Sequence, residues 1–170
     1  MPSPTYEAIA TTTVGSGGAA NIEFTSIPAT YTDLVLKISG RHDTSSDQGI
    51  FIKFNGSTSN RSHRYVAGNG ATTESSSGTD GYIGSIQGTN ATASTFNNTE
   101  VYIPNYASSN NKSSSIDNVT ENNATTAYAN LVAGLWSNSA AITSIAITIG
   151  NGTQNFVQYS TATLYGIKNS

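Results

Sequence analysis

Phe24-Thr-Ser-Ile-Pro-Ala-Thr-Tyr-Thr-Asp-Leu-Val-Leu-Lys-Ile38 is the stretch that decides the fold. Leu34, Leu36 and Ile38 fall on one side, and Asp33, Val35 and Lys37 on the other. That period of two is the pattern of a strand with one buried face. Upstream, Pro28 fixes its own φ and pushes Ile27 towards extended geometry, so Ile27-Pro28 predicts a corner between two strands.

The same alternation extends outward from this stretch. Strands are expected at Tyr6–Val14, Asn21–Thr25, Tyr31–Ser39, Gly49–Phe54, His63–Ala67, Tyr82–Gln87 and Thr95–Tyr102. A short edge strand is expected at Ser115–Thr120, then three strong strands at Tyr128–Trp136, Ile142–Ile149 and Phe156–Ile167. Turns follow from Gly15–Gly18, Asn55-Gly56 and Gly150-Asn151-Gly152. Two stretches carry no period: the Gly/Ser/Thr-rich Gly68–Gly81 and the polar Asn105–Ser114. Gly68–Gly81 exceeds the usual length of a structureless loop, which marks it as a functional or partner-ordered segment. About ten short strands without a helical period predict an all-β, antiparallel two-sheet sandwich of jelly-roll type. Residues 6–170 form the expected domain, preceded by an extended arm over residues 1–5 that holds Pro2 and Pro4.

Composition narrows the class of function. Charged residues make up 10% of the 170, against roughly 25% in an average soluble domain, so hydroxyls and amides must carry the solvation. Seven Lys plus Arg and a net charge of -3 argue against a nucleic-acid surface. With no cysteine there is neither a disulfide framework nor thiolate chemistry. The N-terminus lacks the basic and apolar regions of a signal peptide, and no run approaches a membrane helix.

Candidate chemistry is sparse. His42 and His63 sit in polar surroundings and read as solvated loop histidines, without the converging nucleophile and carboxylate that a triad needs. Asp43 and Asp47 are the closest loop carboxylates but lack calcium-loop spacing. No pair of acids stands out for glycoside hydrolysis. No cofactor or metal is expected. Arg61 and Arg64, with His63 between them, form the one basic cluster, suited to an acidic partner protein or simply solvated. Tyr102, Tyr106, Tyr128 and Trp136 suit a core, a protein interface or sugar stacking. Candidate subunit or partner contacts are therefore Pro2, Pro4, Tyr6, Arg61, Arg64, Tyr102 and Tyr106.

Three segments carry a resemblance: Thr5–Thr13 (TYEAIATTT), Phe24–Leu36 and Ala162–Lys168 (ATLYGIK), with Gly134–Trp136 and Ala141–Ile145 between. Together they resemble the small structural proteins of tailed bacteriophages, particularly those of cyanobacterial and marine phages. Such proteins serve as head decoration (cement) proteins or as parts of tail fibres. The resemblance covers about the first and last 40 residues and leaves the middle unmatched. It implies a β-sandwich that self-assembles as a homo-oligomer, a trimer, on a virion. The implied partners are further copies of the chain and the major capsid protein or another virion protein, with no nucleic acid and no membrane. Such a protein would be assembled in the host cytoplasm and released by lysis. The resemblance brings no catalytic residues; a tail appendage, in one form glycan-binding, is its alternative.

Overall fold

The computed structural model describes residues 5–123 and 127–168. Twelve strands and no helix make up the described residues: β1 (Tyr6–Thr13), β2 (Asn21–Phe24), β3 (Asp33–Gly40), β4 (Gln48–Phe54), β5 (Arg61–Gly68), β6 (Thr73–Gly78), β7 (Tyr82–Ile86), β8 (Asn97–Ile103), β9 (Lys112–Val119), β10 (Ala129–Trp136), β11 (Ile145–Ile149) and β12 (Thr161–Ile167). They form two antiparallel sheets, an eight-stranded one in the order β1-β12-β3-β8-β9-β10-β5-β6 and a four-stranded one in the order β2-β11-β4-β7.

The order explains the architecture. β1-β12-β3-β8 faces β2-β11-β4-β7 as the two four-stranded halves of a jelly roll, with the chain crossing between sheets at each early connection. Two hairpins are inserted into that plan. β5–β6 follows β4, and β9–β10 follows β8, and both add to the β8 side of the larger sheet. The larger sheet therefore extends well past the smaller one.

Alternation places the core between the sheets. One inward row runs Leu164, Leu36, Val101, Ile116, Val132 and Tyr65 across six strands. Ile22, Ile50, Ile52, Ile145, Ile147 and Ile149 face it from the smaller sheet. The Ile27-Pro28 corner closes one end, where Tyr106 is fully buried and its hydroxyl donates to the Pro28 carbonyl. Gly166 leaves room there for the Tyr31 ring, which a Cβ at that position would overlap.

Several expectations change. Gly68–Gly81 is not a long loop: Thr73–Gly78 is a strand paired to β5, and the turn before it is built on Asn69, whose Oδ1 accepts from the Thr72 amide at 2.7 Å. Ser115–Thr120 is not an edge: β9 starts at Lys112 and lies between β8 and β10. Lys112 starts it because its ammonium is buried and donates to the carbonyls of Ser108 and Asn110, tying down the stretch before it. The last strand begins at Thr161, while Phe156 is held in isolated bridges to Ala19 and His42. Both histidines are buried, not solvated.

Candidate interaction surface

The outward face of the eight-stranded sheet is the broadest feature the fold offers. Its side chains come in cross-strand rows that the register defines. One row reads Ala8, Tyr165, Val35, Tyr102, Ser115, Ala133, Arg64 and Ser77. The next reads Thr11, Thr163, Lys37, Glu100, Asp117, Leu131, Val66 and Ser75. Most members are hydroxyls, small residues or single charges, and the Lys37–Glu100 pair at 2.7 Å is matched across neighbouring strands.

Two apolar regions interrupt this polar face. At the β1 side, Tyr6 and Tyr165 meet edge to face at 6.3 Å, and Tyr165 and Tyr102 flank Val35, which is buried although it points outward. The Tyr102 hydroxyl donates to Asp33 at 3.0 Å, and that carboxylate raises the phenol pKa. On the inserted hairpins, Val66 and Leu131 lie side by side, 55% and 58% exposed, which is unusual for branched aliphatics on a sheet. With Val119, Ala129, Ser75 and Asp117 they line an open groove of about 820 Å³ on the outward face. The Asp117 carboxylate and the aliphatics suit a protein surface better than a phosphate backbone.

Period two also sorts the sequence-derived candidates. Tyr6, Tyr102 and Arg64 lie on the outward face. Arg61 and His63 point the other way, so the three basic residues do not form a cluster. Arg61 spends its guanidinium on the carbonyls of Ile52 at 2.9 Å and Thr58 at 3.1 Å. Tyr106 belongs to the core, and Pro2 and Pro4 lie outside the described residues.

Beneath the surface are two polar layers that the sequence did not suggest. His63 packs against Tyr65 and Tyr82, with ring centroids 6.2 and 5.4 Å away. Its Nδ1 lies 3.2 Å from Asp80 without the alignment of a hydrogen bond, and burial, only partly offset by Asp80, lowers its pKa. Burial likewise pushes the Tyr82 phenol up to about 12. The second layer is Thr99, Asn118 and Asn130, one row above the apolar core, with Asn97 beside it. Asn118 binds both the amide and the carbonyl of Ser85 at 2.9 Å, which fastens β7 of the small sheet to β9 of the large one. These contacts hold the sandwich shut and engage the side-chain amides of Asn97, Asn118 and Asn130.

At the loop end, the His42 Nδ1 accepts from the Thr44 amide at 3.2 Å. The neutral ring therefore carries its proton on Nε2, and neither nitrogen is set to hold a metal ion. Asp43 is engaged by the Asn155 amide at 3.0 Å and side chain at 2.8 Å. No group of three or more His, Asp or Glu is placed to hold a metal among the described residues.

Comparison of the chain with protein-family profiles, with curated proteins and with solved structures gave no match.

Proposed function

We propose that the chain is a non-enzymatic structural protein of a virion, a head decoration protein that binds and stabilises a capsid lattice as an oligomer. The observation that carries this reading is the outward face of the larger sheet. It is wide and crossed by two separate apolar regions, Tyr6/Tyr165/Tyr102 and Val66/Leu131, as a plate with neighbours on two sides requires. The segments that resemble phage structural proteins support it: they map to β1, the corner from the end of β2 into β3, the end of β10, the approach to β11, and β12. On this reading assembly provides durability that disulfides would otherwise supply, because association stabilises only the folded state. The partners are the major capsid protein and further copies of the chain, and the particle leaves the host by lysis.

The test is location and copy number in intact particles, by quantitative mass spectrometry together with particle imaging. A copy number on the scale of the capsid lattice, with density on the head, supports the proposal. A few copies confined to the tail would replace it with the appendage reading.

A further inference from the structure

Each sheet has two outer strands, and three of these four edges are blunted. β1 carries a bulge between Ala8 and Ala10 and the Lys168–Glu7 ion pair. β2 is four residues long. β7 is bulged where it pairs with β4, beside Gly84. β6 has none of these devices. It pairs with β5 in unbroken register over six residues, Thr-Glu-Ser-Ser-Ser-Gly, with no proline, lysine or bulge. It is also exposed on both faces, apart from partly covered Gly78, so the monomer buries almost nothing by keeping it extended. An unprotected edge presents alternating amides and carbonyls, which water satisfies in the monomer and which a second strand can pair with.

We propose that β6 pairs antiparallel with β6 of a second copy of this chain, about a two-fold axis through Ser76, joining two eight-stranded sheets edge to edge. The sequence suits this self-pairing. Residues directly opposite then sum to the same register: Ser76 meets its own counterpart, Ser75 meets Ser77, and the single charge, Glu74, meets Gly78. No like charges are opposed, and no side chain is large enough to hold the backbones apart. A two-fold axis normal to the sheet keeps both outward faces on one side, so the two Val66/Leu131 stripes flank the axis, three strand spacings or about 14 Å apart at Val66. A six-residue edge is smaller than a standard interface. Pairing is therefore weak in dilute solution and strengthens where a lattice holds copies close together. The inference rests on reading the chain as one that assembles, and not on the capsid as its scaffold.

The test uses the full chain in sedimentation equilibrium over a concentration series, with Ser76→Lys, Ser76→Glu and an equimolar mixture of the two. The expected result is a monomer–dimer equilibrium in the unmodified protein. Each variant alone opposes like charges at the axis and weakens dimerisation by about tenfold or more, while the mixture restores it. Unchanged far-UV circular dichroism shows that the exposed substitutions leave the fold intact. A protein that stays monomeric at millimolar concentration overturns the proposal, as does dimerisation that survives both substitutions. Loss in both variants without rescue in the mixture overturns the Ser76 register. Dimers that pair as described yet fail to bind capsids would refute the decoration reading and leave this one standing.

Discussion

Asn118 fills all four hydrogen-bonding capacities of its amide. Its Nδ2 donates to Thr99 Oγ1 at 2.6 Å and to the Ser85 carbonyl at 2.9 Å, and its Oδ1 accepts from the Ser85 amide at 2.9 Å and Asn130 at 2.8 Å. Asn118→Ala leaves several of those buried partners unmet. The expected loss is about 3 kcal/mol or more, read as a lower denaturant midpoint; a change under about 1 kcal/mol would show that water replaces the amide. The histidines give a second expectation. Burial lowers both pKa values, so the unfolded chain binds protons that the folded chain refuses. Their contribution is fully present above the unfolded histidine pKa of about 6.5 and is lost progressively as pH falls from there through their lower folded-state values. The groups facing His63 are Asp80, Tyr65 and Tyr82. Stability measured between about pH 7 and pH 5 should fall, and His63→Asn should flatten the slope. A wild-type slope that the substitution leaves unchanged would locate the effect elsewhere. Neither role was legible in sequence, because an Asn or His alternating with serines has the same pattern whether the face it marks is wet or buried.

At the scale of elements, strands with apolar alternation were legible, and those without it were not. Leu34, Leu36 and Ile38 identified β3, and Ile145, Ile147 and Ile149 identified β11. Val35 lies on the outward side where the alternation put it, but it is buried, because its cover comes from Tyr102 and Tyr165 on strands distant in sequence. β6 was read as loop because Thr-Glu-Ser-Ser-Ser-Gly has no apolar member and β6 borders no core. β9 was read as an edge because the inward face of Lys112, Ser114, Ile116 and Asn118 is mostly polar. The outward groove was missed for a related reason: Val66 and Leu131 become neighbours only through the β5–β10 pairing. Energetic weight follows the apolar rows. Leu36 is fully buried between Leu164 and Val101, so Leu36→Ala should cost about 2–5 kcal/mol by chemical denaturation. Leu131→Ser, on the exposed side of β10, should change stability by only about 0.5 kcal/mol while weakening assembly. The opposite ranking of the two would mean that the outward face, and not the space between the sheets, holds the fold together.

For the whole molecule, the question is which parts the fold needs and which parts assembly needs. The sandwich begins at Tyr6, and the described contact of the preceding segment is the Thr5 carbonyl accepting from the Lys168 amide at 3.1 Å, at the exposed end of the β1–β12 ladder. One such bond contributes about 1 kcal/mol at most. Met1–Thr5 holds two prolines, the composition from which the sequence predicts an extended arm. Deleting Met1–Thr5 is therefore expected to leave circular dichroism unchanged and thermal unfolding nearly so, while weakening co-sedimentation with capsids lacking the protein. The comparison with Ser76→Lys makes the result specific. The truncation should reduce capsid attachment with the monomer–dimer equilibrium intact, whereas the charge at β6 should disturb the equilibrium first and attachment only through it. Capsid binding by the truncated protein equal to that of the full chain would refute a role for the N-terminal segment and, on the proposed decoration reading, leave the outward face of the larger sheet as the capsid contact.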